Sequence, residues 1–241
     1  MARLIGLFLL CLGACLPTGS AAADQFTPAQ RAEIVQIMRD ALKKDPSILR
    51  DAVSAMQADE SEQQRAKIAA LGDKLISPAD PVAGDPNGDV TIVEFFDTRC
   101  PYCRKLEPSM ANLLMRDHGV RLVYKDLPIL GPASVLGSKA LLAAQKQDGY
   151  EKLRAAIMSA PPDTTEAMIK DASMRLGLDW PRLKHDMDDP AIAARIDANV
   201  KLARSIGVDG TPALVIGRDL LPGAMDLGEL QEAVATARKG K

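Results

Sequence analysis

The sequence predicts an α/β fold in which a strand–helix–strand unit and a later two-strand unit are separated by a block of helices. Three observations support this prediction. A β-branched and aromatic run at residues 90–96 leads into a helical pattern that ends near residue 118. A second strand pattern covers residues 120–124, and helical spacing then fills residues 133–206 before strand patterns return. The 241 residues are enough for one or two domains with a sizeable core.

Composition and charge exclude nucleic acid as a partner. Lys and Arg number 30 against 32 Asp and Glu, so the net charge of −2 provides no basic field for a phosphate backbone. One Trp, three Tyr and four Phe leave little material for base stacking.

Residues 1–23 are expected to be an export signal. Arg3 precedes an uncharged apolar run of about 13 residues, and small residues at 19–23 form the exit that such signals use. The run is shorter than the roughly 20 apolar residues of a membrane-spanning helix. We therefore expect an exported chain that starts near Asp24. A lipid anchor at Cys15 is the alternative, because residues 12–15 read Leu-Gly-Ala-Cys.

Residues 24–76 predict a helical arm ahead of the main domain. Thr27, Pro28 and Gln30 provide an N-cap, a first-turn proline and a capping-box partner. Two apolar stripes at helical spacing follow, and a polar tract at residues 57–67 is expected to act as a linker. Such stripes need another surface to cover them, so we expect a homo-oligomer or an arm folded back on its own domain. The stripes comprise Ile34, Ile37, Met38, Ala41, Leu42, Ile48, Leu49, Ala52, Val53 and Met56.

The main domain is expected to span residues 77–241. Its first segment, residues 77–89, is rich in Pro and Gly and predicts a loop. A short strand–helix–strand connection implies a right-handed crossover between parallel strands. Within the helical insertion, helix starts are predicted at Asp163 and Asp189, with breaks at Gly149 and Gly177. The remaining predicted elements are strands at residues 213–216 and 220–222 and a helix at 226–238.

The strongest chemical signal is Cys100-Pro101-Tyr102-Cys103 at the junction of a strand and a helix. A thiol at a helix N-terminus faces unpaired N–H groups and the positive end of the helix dipole, which lower its pKa. The two-residue spacing lets one thiol attack a mixed disulfide formed on the other. The pattern predicts Cys100 as the nucleophile and Cys103 as the resolving thiol.

Other interpretations of the two cysteines are weaker. A structural disulfide would close too short a loop to stabilise the fold much. A zinc site needs about four ligands, and only His118 and His185 accompany the cysteines. Transient Cu(I) binding by the reduced pair stays open, because soft thiolates suit that ion. We expect no resident metal or organic cofactor.

Several further motifs accompany the cysteine pair: Glu94-Phe95-Phe96-Asp97, Pro108, residues 124–132 and Gly210-Thr211-Pro212. With these motifs the chain resembles the DsbA-like branch of the thioredoxin superfamily over about residues 81–238. The N-terminal stripe, with its Asp45-Pro46 turn, is similar to the extension of ScsC-type members. The resemblance implies a thioredoxin-like fold with a helical insertion, preceded by an N-terminal α-helical arm. The expected export signal then predicts a periplasmic location.

The resemblance also implies a substrate-binding surface around the cysteines. Thr211 and Pro212 match the cis-proline loop that lies beside the active disulfide and pairs with substrate backbone. A cis X–Pro bond is uncommon and usually purposeful; a trans turn proline is the alternative. Pro101 and Tyr102, between the cysteines, complete the expected binding residues.

Glu94 matches the buried acid of DsbA-like proteins. A desolvated carboxyl has a raised pKa and could relay the proton of Cys103. A lone Glu in a buried strand needs a partner, and we expect Lys125 on the next strand to supply it. A structural ion pair is the alternative interpretation.

Two departures from DsbA point away from a pure oxidase. Tyr102 stands where DsbA has His, and Thr211 before the proline is typical of isomerase-like and ScsC-like members. The resemblance thus predicts a disulfide isomerase or reductase that acts on unfolded or misoxidised proteins and is reset by a membrane redox partner. The long extension favours a trimer, with a dimer as the alternative. The rival functions are a monomeric dithiol oxidase and a copper-handling protein.

Overall fold

The computed structural model describes residues 26–240, which belong to two compact units divided between Gln57 and Ala58. The predicted export signal and Cys15 lie outside the described residues. Within residues 26–240, no helix combines the length and the apolar character needed to cross a membrane.

The first unit consists of α1 (Pro28–Lys44) and the first part of α2 (Ser47–Leu71). The predicted capping box is confirmed, because the Thr27 hydroxyl accepts from the Gln30 N–H and the Gln30 side chain accepts from the Thr27 N–H. No residue of α1 is buried within the chain. The exposed large apolar side chains of these helices are Ile34, Val35, Ile37, Met38, Leu42, Ile48, Leu49, Val53 and Met56.

The polar tract at residues 57–67 is wholly helical and forms the middle of α2, rather than an extended linker. Its Ala, Glu, Gln, Arg and Lys residues are all strong helix formers, which explains the continuity. Within the second unit, the Gln64 amide donates to the Ile206 carbonyl at 3.1 Å, and Arg65 pairs with Asp219 at 2.5 Å. Ile68 is buried in the core of that unit.

The second unit is built on a five-stranded sheet with the order β1-β3-β2-β4-β5. The central pair, β2 and β3, is parallel as predicted, and the other neighbours are antiparallel. The prediction of a loop across residues 77–89 is wrong at Val82–Gly84, which forms the edge strand β1. Pro81 and Gly84 bound this three-residue strand closely, so the turn signals mask it. The other strands are β2 (Val90–Phe96), β3 (Val120–Asp126), β4 (Ala213–Ile216) and β5 (Asp219–Pro222).

Helices cover the sheet, and five of them form the predicted insertion between β3 and β4. The helix start at Asp189 is confirmed, because its carboxylate accepts from the Ala191 N–H. The start at Asp163 is wrong, since Thr165 caps that helix through the Met168 N–H. The helices of the second unit beyond α2 are α3 (Pro101–Arg116), α4 (Pro132–Gln145), α5 (Tyr150–Ser159), α6 (Glu166–Arg175), α7 (Trp180–Met187), α8 (Pro190–Ser205) and α9 (Leu227–Lys239).

Alternate side chains of β2 enter two separate cores. Val90, Ile92 and Phe96 pack in the larger cluster, which includes α3 and the helical insertion. Val93 and Phe95 pack in the smaller cluster on the opposite face. The period of two places Glu94 on the face of Ile92 and Phe96, directed toward the cysteine-bearing helix.

Candidate active site

The two cysteines lie at the start of helix α3, just after strand β2. Cys100 is the N-cap of α3, Pro101 is its first residue, and Cys103 is in its first turn. Both are free thiols in this structure. Cys100 is 4% exposed and Cys103 is 0% exposed, so the outer and inner positions expected from the spacing are observed.

The loop before Cys100 is fixed by the buried carboxylate of Asp97. One of its oxygens accepts from the Arg99 N–H at 2.8 Å. The other accepts from the N–H groups of Ile129 and Leu130 at 2.9 and 3.0 Å. From the sequence, Asp97 was noted only as part of a motif. Its position directly after a buried strand was the available signal for this anchoring role.

Two arginines that flank the cysteines bind carbonyl groups of the insertion. Arg104 donates to the carbonyls of Met158 at 2.7 Å and of Ala160, and also to Thr98 at 2.7 Å. Arg99 donates to the Pro162 carbonyl at 3.2 Å. The segment that follows α5 is therefore attached to both sides of the cysteine pair.

The Thr211–Pro212 loop faces Cys100 from the start of β4. The Thr211–Pro212 peptide bond is cis, as the resemblance implied. The Cys100 Sγ lies 3.0 Å from the Thr211 carbonyl oxygen, to which its protonated form donates. Tyr102, in the first turn of α3, is 62% exposed, so its ring is available to a bound chain. The expected binding residues are therefore gathered around Cys100.

The two sulfur atoms have opposite electrostatic environments. Hydrogen bonds from the Cys103 thiol, the Thr211 side chain and the backbone N–H groups of Cys103 and Tyr102 outweigh burial and lower the pKa of Cys100 to about 5. The hydrogen bond to Cys100 and burial both raise the pKa of Cys103 well above the free-thiol value, and the charge of Glu94 adds to this. At neutral pH the site holds one thiolate and one thiol.

Glu94 lies beneath the cysteines with its carboxyl fully buried. Burial raises its pKa to about 7, against the opposing charge of Arg154; the charges of Glu107 and Asp126 raise it further. The Arg154 Nη2 lies 3.3 Å from Glu94 Oε2. A carboxyl with this pKa can both accept and release a proton near neutral pH.

The prediction that Lys125 pairs with Glu94 is wrong. In the parallel register Glu94 lies beside Tyr124, whereas Lys125 lies beside Phe95 and so points to the opposite face of the sheet. Lys125 instead forms a buried pair with Asp80 at 2.5 Å. Residues that pair across adjacent strands have their side chains on the same face of the sheet. A shift of the pairing by one residue moves a side chain to the other face, and the sequence alone does not define the pairing that closely.

Arg154, the observed partner of Glu94, was missed by the sequence analysis. It lies on α5 among the buried side chains of Tyr150, Leu153 and Ile157, so a charged residue interrupts an apolar helical stripe. That interruption was the available signal. Asp126, at the end of β3, was also missed; it is fully buried, accepts from the Tyr150 hydroxyl at 2.9 Å, and burial raises its pKa to about 6.

The side chains that could bind a metal ion are few among the described residues. Across residues 26–240, no group of three or more His, Cys, Asp or Glu side chains is arranged to hold a metal ion. The two thiols of Cys100 and Cys103 are the only soft donors among those residues apart from methionine.

The fold and the cysteine pair place the chain in the class of thioredoxin-fold proteins with a helical insertion and a Cys-x-x-Cys site. More specifically, the chain belongs to the DSBA-like thioredoxin domain family, whose model matches residues 91–235. Residues 30–63 match the model described as the copper resistance protein ScsC N-terminal domain.

Solved structures support the same assignment. A thioredoxin-like oxidoreductase from Silicibacter pomeroyi is 41% identical, with a TM-score of 0.66, over 68% of this chain and 95% of that chain. Proteus mirabilis ScsC in a transitional conformation is 29% identical, with a TM-score of 0.66, over 90% of this chain and 99% of that chain. The second match extends over the arm as well as the catalytic unit.

A similar sequence also occurs within a larger protein. The Na(+)/H(+) antiporter NhaA 3 of Salinispora tropica is 30% identical over 169 residues, which are 68% of this chain and 26% of the antiporter. The chain thus spans about a quarter of the length of that relative.

The origin of the low Cys100 pKa can be tested at Cys103. In the reduced protein we expect Cys100 to titrate with a pKa of about 5. Cys103→Ser keeps a hydrogen-bond donor and should leave this pKa low, whereas Cys103→Ala removes the donor and should raise it. The measurement is the ultraviolet absorbance of the thiolate as a function of pH. Equal titrations of the two variants, or a parent value near the free-thiol pKa of about 8.5, would contradict the assignment.

Proposed function

We propose that the chain is a protein thiol:disulfide oxidoreductase that acts in the isomerase and reductase direction. The observation that carries the proposal is the pairing of a stabilised Cys100 thiolate with the buried Cys103 thiol. The thiolate attacks one sulfur of a substrate disulfide, the other substrate sulfur leaves as a thiolate, and a mixed disulfide forms.

The mixed disulfide can be resolved by two reactions. Another thiolate of the same substrate can attack the substrate sulfur of the mixed disulfide and form a different disulfide, so that Cys100 leaves as a thiolate without net electron transfer; attack by the freed thiolate only restores the original disulfide. Alternatively, Cys103 loses its proton and attacks Cys100 Sγ. This second reaction forms the Cys100–Cys103 disulfide and releases the reduced substrate, so two electrons pass from the enzyme to the substrate.

Each remaining site residue has a proposed role in this cycle. Glu94 accepts the proton of Cys103, because a carboxyl with a pKa of about 7 is divided between its two protonation states at neutral pH. A substrate chain bonded to Cys100 must pass Thr211, whose carbonyl lies 3.0 Å from the sulfur. Pro212, Pro101 and Tyr102 then form the surface under that chain.

The direction of the reaction is inferred from the stabilisation of the Cys100 thiolate. Its pKa of about 5 lies between the values of about 7 for thioredoxin and about 3.5 for the strong oxidant DsbA. Tyr102 adds no positive charge next to the thiolate. An intermediate stabilisation suits a protein that forms mixed disulfides and also releases them, and a monomeric dithiol oxidase is the alternative.

We place this activity in the periplasm, on unfolded or misoxidised proteins, with a membrane redox partner that returns the cysteines to the reduced state. The predicted export signal and the DSBA-like family support that location. The match of residues 30–63 to the ScsC N-terminal domain, whose description includes copper resistance, supports copper handling by the same two thiols as a second candidate.

Trapping of mixed disulfides tests the oxidoreductase proposal. Reduced Cys103→Ser protein mixed with a scrambled disulfide protein should accumulate covalent adducts at Cys100, because the resolving attack is lost. Reductant should reverse them, and Cys100→Ser, the matched control, should form none. The readout is the mass of the adducts and of their tryptic peptides. Absence of adducts from Cys103→Ser would contradict the proposal and favour copper handling, which needs no covalent intermediate.

We also propose that the arm makes the protein a homo-oligomer, with a trimer favoured over a dimer. The apolar stripes of α1 and α2 are exposed within the chain, as at Ile37 and Met56 (61% and 64% exposed). Copies of the same arm cover such stripes without any other gene product. Several Cys100 sites on one assembly then raise the effective concentration of one site for a substrate held at another.

Charges placed in the stripes test the role of the arm in the full-length protein. Ile37→Lys with Met56→Lys should yield monomers, because apolar contacts between copies are lost. These variants should lose about tenfold or more of the activity on scrambled proteins yet keep the reduction of a small disulfide. Light scattering gives the mass, and Gln36→Lys with Ser54→Lys is the control away from the stripes. A monomeric parent protein, or a monomeric variant with full isomerase activity, would overturn this proposal.

A further inference from the structure

Arg154 connects the helical insertion to the floor of the active site. Its guanidinium lies over the rings of Phe96 and Tyr124, with its carbon 4.5 and 4.1 Å from their centroids. It donates to both oxygens of Glu107 at 2.8 and 2.5 Å, and its Nη2 lies 3.3 Å from Glu94 Oε2. One buried cation therefore serves two carboxyl groups.

The two carboxyl groups share this cation unequally. Glu107 receives a bidentate pair with short contacts, whereas both oxygens of Glu94 lie at 3.3–3.4 Å from a single nitrogen. Glu107 is half-buried and has access to solvent, and Glu94 has none. Full compensation of Glu94 would require Arg154 to leave Glu107.

We propose that Arg154 is a positioning residue for the resolving step and that Glu107 competes with Glu94 for its charge, so this pair sets how readily Glu94 accepts the Cys103 proton. Glu107 lies on α3, one helical turn after Cys103, and Arg154 lies on α5. The insertion thus acts on the proton transfer through the charge of Arg154. Arg154 has this role only if Cys100 and Cys103 exchange disulfides as proposed above.

The step in question is the attack of Cys103 on the mixed disulfide, which releases the reduced substrate. Cys103 transfers its proton to the Glu94 carboxylate, and its sulfur attacks Cys100 Sγ in the mixed disulfide. The Cys100–Cys103 bond forms, the bond from Cys100 to the substrate sulfur breaks, and the substrate leaves as a thiolate. Glu94 must be unprotonated at the start, so the rate of this step rises with pH through the pKa of Glu94.

Several other ionisable groups lie around Glu94 and Arg154. Asp126 and Tyr124 face it from β3, and Cys103 faces it from α3; Glu151 on α5 acts on Arg154. The nearby pair of Lys125 and Asp80 lies on the other face of the sheet. Arg154 is the cation that lowers the pKa of Glu94, and Glu107 and Asp126 are the carboxylates that raise it.

Competition for Arg154 predicts that the Arg154 and Glu107 variants shift the pKa of Glu94 in opposite directions, and a purely structural ion pair does not. Removing Arg154 takes away the positive charge that stabilises the Glu94 carboxylate, so the pKa of Glu94 should rise. Removing the charge of Glu107 frees Arg154 for Glu94 and deletes a like charge, so the pKa of Glu94 should fall. If the pair only fastened α5 to α3, both changes would break the same contact and act in the same direction.

The experiment follows the release of a fluorescent peptide thiol from a preformed mixed disulfide with Cys100. Release is measured in the full-length protein from about pH 5 to about pH 9, with a midpoint expected near 7 in the parent. Arg154→Met should move the midpoint up by about one pH unit, and Glu107→Gln should move it down by about one unit. Glu94→Gln should remove this limb of the profile.

The matched control breaks another arginine–carboxylate pair at the opposite end of α3. Arg238 donates to both oxygens of Asp117, the C-cap of α3, at 2.6 and 2.7 Å. Asp117→Asn should lower the melting temperature without moving the pH midpoint. A shift in this control equal to that of Glu107→Gln would overturn the proposal.

The direction of the two shifts decides the proposal. Opposite shifts for Arg154→Met and Glu107→Gln support it, and equal or absent shifts overturn it. If Arg154→Met does not fold, Glu107→Gln decides alone, since its side chain is partly exposed and its shift must be downward. Failure to form the mixed disulfide at all would instead refute the oxidoreductase function itself.

Discussion

The hydrogen bond between the two cysteine side chains is the interaction on which the site depends. It is the largest cause both of the lowered pKa of Cys100 and of the raised pKa of Cys103. It exists because Cys100 caps α3 and Cys103 lies in the first turn, one on the surface side and one on the sheet side. The rest of the second unit holds that helix terminus in place.

The helical insertion takes part in the site as well as in the fold. Arg104 attaches the start of α3 to the carbonyls of Met158 and Ala160 at the end of α5. Arg154, on the same helix α5, supplies the positive charge beneath the cysteines. A single helix of the insertion therefore contacts the site both through its carbonyl end and through its central side chain. Changes in α5 should consequently affect the chemistry of the cysteine pair.

Much of the architecture was predictable from local patterns. The strand at residues 90–96, the helix with its cysteines, and the strand at 213–216 all have periodic apolar residues and clear boundaries. Residues near the cysteines in sequence, such as Glu94, or in a recognisable motif, such as Thr211 and Pro212, were also found. The predicted strands and helices depend on short-range spacing, whereas the roles expected of Glu94, Thr211 and Pro212 rest on the resemblance to the DsbA-like family.

The charge partners were not predictable in the same way. Lys125 was expected to pair with Glu94 but pairs with Asp80, because a one-residue difference in register selects the face of the sheet. Arg154 is 60 residues away from Glu94 in sequence and meets it only through tertiary packing. Such long-range pairs are decided by the packing of helices on the sheet, for which an isolated charge in an apolar stripe is the only local sign.

The most direct test of the account is the relative reactivity of the two thiols toward a small alkylating agent. Reduced protein would be treated with limiting iodoacetamide at about pH 6, below the free-thiol pKa of about 8.5, and the labelled cysteine located by mass spectrometry. We expect Cys100 to carry the label and Cys103 to stay unmodified, because only Cys100 is a thiolate at that pH. Equal labelling of the two cysteines, or faster labelling of Cys103, would contradict it.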